Sequence, residues 1–240
     1  MGDFGQALSE AVQTAALAAV GPARLSTYLG RANGDLSRAL DYYHFNLLLS
    51  GATYETTALV EVALRNAMDS QLKLWNARQI DAKTSLRHSA EWSLDPAPLL
   101  RRLLKSDITK AKRRFARSRN AGGGPTHDDL VAQLDFSTWR YLFPDGDVGR
   151  QYLWTDALSL AFPALAGSIV RLVRSVDGIY RHRNRVAHLE PILTRSQVRN
   201  QLRSMRFVMR SINPALEEWL NAASRVDAVL ADAPDRMTRK

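Results

Sequence analysis

Residues 165–191, LAGSIVRLVRSVDGIYRHRNRVAHLEP, decide how the chain is read. Leu165, Ile169, Leu172, Val176 and Ile179 recur at spacings of four, three, four and three, which places them on one helical face. The spacing predicts a helix over 164–189. Pro191 disfavours helical dihedrals at Glu190, so the helix is expected to stop near Leu189 with His188 in its last turn. That last stretch concentrates Arg181, His182, Arg183, Asn184, Arg185 and His188, and asks whether it is a solvated helix end or a site that acts on phosphate.

Outward from this segment, helical period dominates and strand-like alternation is scarce. Helices are expected near 4–19, 22–30, 35–50, 53–76, 96–118, 127–142, 150–161, 194–212 and 214–230 as well. Punctuation agrees: Asn33-Gly34-Asp35 reads as a turn and N-cap, Pro98 fits a first helical turn, and Pro144-Asp145-Gly146 breaks the chain after Phe143. Thr126, followed by Asp128 and Asp129, reads as an N-cap behind the glycine run of 122–124. The expected fold class is all-α, with residues 1–230 forming a single domain and 231–240 a frayed polar tail.

Composition narrows the partners. With 33 Lys+Arg against 24 Asp+Glu the chain carries a formal +9, which favours an anionic partner. The absence of cysteine removes disulfides and thiolate metal sites. His44, His88, His127 and His182 show no ligand spacing, so no metal and no cofactor are expected. No apolar run is long enough for a membrane span and the first residues lack the basic start of a signal peptide, so no membrane partner and a cytoplasmic location are expected.

The segment RRLLKSDITKAKRRFARSRN, residues 101–120, sets nine basic residues against Asp107 alone. Arg101, Arg102, Lys105, Lys112, Arg113, Arg114 and Arg117 are its candidates for tracking an RNA backbone, with Lys110 and Arg119 beside them; a plain solvated helix face fits equally well. On the later helix, Asn184 and His188 are one turn apart and share a face, so an amide-to-imidazole hydrogen bond is expected. Arg183 diverges from His188 by about 140°. A site using both assembles more readily when two copies of the helix meet across a two-fold axis. Arginine with histidine and no metal suits RNA cleavage, because the 2′-hydroxyl supplies the nucleophile and the protein need only move protons and stabilise charge on phosphorus.

Four stretches carry a family resemblance: RLSTYLGRANGDLSRALDYYHFN (24–46), YETTALVEVALRNAMDSQL (54–72), PTHDDLVAQLDFSTWRYLFP (125–144) and IYRHRNRVAHLEPIL (179–193). In this order the chain resembles the Abi-like abortive-infection proteins of the HEPN superfamily. The resemblance implies a multi-helix HEPN-type bundle with additional helices. It places the Arg-x4-6-His signature of metal-independent ribonucleases on Arg183, Asn184 and His188, with two such domains facing each other. Many relatives carry a second histidine where this chain has Leu189. The second stretch supplies Glu61, Arg65 and Asn66 as supporting residues, Glu61 and Arg65 being spaced to pair on one face beneath the site. Trp139 and Trp154 read as core aromatics.

The resemblance thus implies a growth-arrest endoribonuclease in abortive infection or phage defence. Its partners would be RNA, a second copy of the chain, and an antitoxin, either protein or RNA. A non-catalytic HEPN-fold module that binds RNA or a partner is the alternative; a helical DNA-binding regulator has less behind it, since no helix-turn-helix pairing is visible.

Overall fold

The computed structural model describes residues 8–118 and 123–234. Within them the chain is all-α, with eleven α-helices, one 3-10 turn at Leu158–Ala161 and one isolated β-bridge between Ile80 and Arg87. The order is α1 Glu10–Val20, α2 Pro22–Arg31, α3 Leu36–Asn76, α4 Pro98–Ser118, α5 His127–Ala132, α6 Phe136–Tyr141, α7 Val148–Asp156, α8 Ile169–Ala187, α9 Arg195–Ile212, α10 Pro214–Ala223 and α11 Val226–Ala231. Part of the expected first helix, most of the expected tail and Arg119 fall outside the described residues.

Several boundaries follow local chemistry. Asp35 caps α3 by accepting from the Arg38 N–H at 3.1 Å, after a turn in which Asn33 and Gly34 sit at φ 54° and 86°. Thr126 and Asp129 form a reciprocal capping box at the start of α5. Ser168 caps α8, so the helix begins at Ile169 and Leu165 packs from the preceding turn.

Other expectations are corrected. The two helices expected over 35–50 and 53–76 are one helix of 41 residues. Gly51 costs about 1 kcal/mol in a helix interior, too little to break it. Beyond it, the Thr56 and Thr57 hydroxyls donate to carbonyls four residues earlier at 2.8 Å, which satisfies them within the helix. The single helix expected over 127–142 is broken between α5 and α6, where Asp135 turns out to become the N-cap residue of α6. The one expected over 150–161 is α7 followed by the 3-10 turn, and that over 214–230 is divided at Ser224, whose ψ of 126° is not helical.

Two apolar clusters are threaded by shared helices. The larger joins the second half of α3 (Leu64, Met68, Trp75) to α4–α10, with Trp139 fully buried and Trp154 half-buried at its edge. The smaller joins α2 and the first half of α3 to Val186, Ile192, Val198 and α11. The helices α3, α8 and α9 contribute to both. Arg171 lies over the Phe207 ring and Gly178 faces Gln201, so α8 and α9 pack antiparallel, and the end of α8 is held from two sides.

Candidate functional site

The C-terminus of α8 is closed by two capping hydrogen bonds. The Leu189 N–H donates to Val186 O at 3.0 Å and the Glu190 N–H reaches back to Arg185 O at 2.9 Å, the pairing of a Schellman turn. Such a turn needs a left-handed residue, and Leu189 takes it at φ 52° where glycine is usual. Arg185 ties the exit down, donating to Glu190 Oε2 at 3.1 Å and to Pro191 O at 2.7 Å. Behind it, buried Asn46 accepts from the Ile192 N–H at 2.8 Å. His188 is therefore an exposed imidazole on a fixed cap.

The expected side-chain bond between Asn184 and His188 is not formed. The link is through the backbone, His188 N–H to Asn184 O at 3.1 Å, with His188 as the C-cap residue at φ −91° and ψ 7°. Asn184 instead lines a polar cavity of about 240 Å³ together with Arg183, Asp135, Phe136, Ser137 and Tyr180. His188 is not among the lining residues. The structure thus joins Arg183 to Asn184 in one cavity and leaves His188 outside its lining, at the C-cap one turn further on.

Within this cavity the Nε–H of Arg183 is buried and, among the described residues, has no acceptor. Glu61 lies close by: burial pushes its carboxyl up, and the charges of Arg183 and Arg65 and a hydrogen bond from the Phe136 N–H only partly offset that. The expected Glu61–Arg65 contact is absent among the described ion pairs, since Arg65 donates to Asn66 Oδ1 at 3.4 Å and Glu61 turns toward Arg183 and the start of α6.

Asp135 connects the cavity to the basic helix. Arg114 grips its carboxylate with two bonds of 2.9 and 2.8 Å and also donates to Gln133 O at 2.7 Å. Arg102 grips Asp147 in the same two-pronged way at 2.9 Å, which holds the Asp147 carboxyl well below the usual range. These two guanidiniums tie α4 to carboxylates distant in sequence while their side chains stay about half exposed. Arg101 donates to Pro96 O. Lys105, Lys112, Arg113 and Arg117 remain exposed without an ion pair among the described residues.

A separate hydrogen-bonded chain lies in the core. Ser93 Oγ and His127 Nδ1 are 2.8 Å apart, His127 Nε2 and Asp69 Oδ1 3.0 Å, and the Trp92 indole donates to the same oxygen at 2.7 Å. Burial pushes the Asp69 carboxyl up, but bonds from His127 and Trp92 and the charge of Lys73 outweigh it and hold the group below its ordinary value. The order of groups imitates a hydrolytic relay. Ser93 is completely buried, so no substrate reaches it and the chain is a structural brace between α3 and α5.

Asp135, Ser137 and Tyr180 are cavity residues that sequence reading passed over. They sit far from Arg183 in the chain or, for Tyr180, inside a helix read for its apolar face. Asn46 did carry a signal, an amide on the otherwise apolar face of Tyr42, Phe45 and Leu49. Among the described residues no group of three or more His, Asp or Glu could hold a metal ion, and no helix is long and apolar enough to cross a membrane. No family model, curated protein or solved structure matches the chain.

Proposed function

We propose that the protein is a metal-independent endoribonuclease of the Abi-like HEPN kind, acting in the cytoplasm as a growth-arresting effector in phage defence and restrained by a protein or RNA antitoxin. The observation that carries the reading is the Arg183 guanidinium in a polar cavity beside Asn184, with a buried N–H lacking an acceptor, one turn before an exposed histidine on a fixed cap. In the reaction the 2′-oxygen attacks phosphorus and the bond to the 5′-oxygen breaks. His188 takes the proton of the 2′-hydroxyl or returns one to the leaving oxygen, and Arg183 stabilises the added negative charge. The products are a 2′,3′-cyclic phosphate and a 5′-hydroxyl.

Arg183 and His188 diverge within one chain, which is the reason to propose a homodimer with a composite site. A groove of about 420 Å³ beside the cap, lined by Leu47, Gly51, Tyr54, Ala187 and Leu189, offers the apolar surface such a pairing needs, with Tyr54 and Leu189 both exposed. Lys105, Lys112, Arg113 and Arg117 supply diffuse attraction for RNA, which falls with rising salt.

The test is RNA cleavage in chelator with analysis of the new ends. Cyclic phosphate ends lost in both Arg183→Ala and His188→Ala support the reading; cleavage surviving in both variants overturns it. One observation favours the non-catalytic alternative: Glu61 and Asp135 already place negative charge against Arg183. Salt-sensitive RNA binding by a homogeneous dimer, with no turnover, would select that alternative.

A further inference from the structure

Two cavities share the groove between α6 and α8, and only one of them holds Arg183. The second, of about 280 Å³, is walled by Arg140, Tyr141, Phe143, Arg150, Val173 and Asp177 among others. Arg150 is held firmly there. Its guanidinium stacks 4.3 Å from the Tyr141 ring centre, donates to Tyr141 O at 2.9 Å and pairs with Asp145 at 2.5 Å. Its Nε–H is nevertheless buried without an acceptor among the described residues, a costly state for a charged donor.

The two cavities have a common wall. Arg140 pairs with Asp177 and lies 5.1 Å from the ring centre of Tyr180, which itself lines the Arg183 cavity. From Asn184 back to Val173 is eleven residues of α8, about 16 Å at the helical rise. That is too far for one nucleotide and within the span of a short single strand. The lining also has groups that single strands use: apolar surface from the exposed Tyr141 and the half-buried Val173 for a base, and the guanidiniums of Arg140 and Arg150 for stacking and phosphate. Asp145 pairs with Arg150, and Asp177 is shared between Arg140 and Arg181, so two carboxylates offset most of the charge of three guanidiniums and the cavity suits a unit carrying an apolar face and a single phosphate better than a multiply charged anion.

We propose that the Arg140–Arg150 cavity is a second nucleotide subsite, which receives another residue of the same RNA strand whose scissile phosphate lies at Arg183. This inference rests on the ribonuclease reading for its role, while the pocket itself is tested without turnover. Adenosine 5′-monophosphate is titrated into the full-length Arg183→Ala protein while the Arg150 Nε–H resonance is followed by NMR. The expected result is a saturable shift of that resonance. A second titration uses Val173→Trp, which fills the cavity from a half-buried position, with Arg150→Lys as a partner variant that keeps the charge and removes the Nε–H. Nucleotide affinity drops at least tenfold in both, as followed by the Tyr141 ring resonances.

The subsite is overturned if the nucleotide leaves the Arg150 resonance unmoved, if both variants bind as the parent does, or if inorganic phosphate alone gives the same shift at the same concentration. In cleavage assays Val173→Trp raises KM for a decanucleotide about tenfold, and that penalty shrinks as the substrate is shortened to a dinucleotide. An equal penalty at every length counts against the subsite. Should the unmodified protein cleave no RNA, the ribonuclease reading fails, and the Arg150 titration still decides whether the pocket takes a nucleotide.

Discussion

His127 and His188 stand at opposite extremes of one molecule. His127 has a partner on each ring nitrogen, is almost fully buried and sits between a serine and an aspartate at hydrogen-bond distance. His188 is exposed and, among the described residues, held through its backbone, on a cap whose neighbours are fixed by Arg185 and Asn46. Hydrogen-bond order alone would nominate His127 as the reactive group. Access reverses that ranking, because a relay sealed in the core is closed to any substrate, whereas an imidazole on an open cap is accessible to one, as the proposed reaction requires.

The largest effect that could break this contrast is on turnover. Arg183→Ala and His188→Ala are each expected to lower RNA cleavage by about 10²- to 10⁴-fold, the range for losing a proton-transfer group or a charge stabiliser, while the melting temperature changes little. Rates are read by single-turnover assays in chelator. A His188→Ala protein that cleaves at the parental rate would remove the open histidine from the reaction.

The opposite pattern is expected in the core. Asp69→Ala leaves the Trp92 indole and His127 without their shared acceptor and Lys73 with Asp128 as its remaining carboxylate among the described residues. The cost is about 3 to 5 kcal/mol, measured by denaturant unfolding, with cleavage per folded molecule within twofold of the parent. Lost turnover at unchanged stability would make the buried chain functional and collapse the distinction.

How much of this was legible follows from the range of the interactions. The face of α8, its end before Pro191, the caps at Asp35 and Thr126 and the all-α class are local matters that a few residues determine. The continuity of α3 was missed because Gly51 and the following threonines weaken a helix in isolation, and only burial on both sides with backbone-directed hydroxyls sustains it. The ion pairs of Arg102 and Arg114 were not legible because Asp147 and Asp135 are distant in sequence. Arg183 and Asn184 could be nominated from sequence, but the cavity that gives them a setting is made by α6, whose N-terminus exists only where the expected long helix breaks.

A third histidine separates burial from pairing. His182 is buried, its Nε2 has no partner among the described residues, and burial together with the charge of Arg185 pushes its pKa down to about 4 from an ordinary 6.5. The folded state therefore binds fewer protons than the unfolded chain between these values. Stability is full above about pH 6.5 and declines as pH falls toward 4, by about 3 kcal/mol in all. Asp69, held below its ordinary value, adds its own loss only at lower pH, below about 4. His182→Gln flattens the first decline in unfolding midpoints between pH 7 and 4.5 and leaves the second; an unchanged slope would mean that another group titrates there.

The smallest effect lies at the cap itself. Leu189 holds a left-handed backbone at φ 52° that costs a branched-chain residue about 1 kcal/mol and glycine almost nothing. Leu189→Gly should therefore raise the stability of the isolated chain by up to about 1 kcal/mol, reduced by the greater freedom of glycine in the unfolded state. The same change removes an apolar side chain from the groove lined by Leu47 and Tyr54, where a second copy is proposed to pack. Stabilised monomers with a dimer weakened severalfold, seen by chemical unfolding and by sedimentation at several concentrations, would mean that leucine is kept at a strained cap for association. If Leu189→Gly leaves dimerisation intact, the groove is not the seam. If it also destabilises the monomer, the leucine packing within one chain outweighs the backbone strain, and the cap beneath His188 is held by burial as firmly as His127 is.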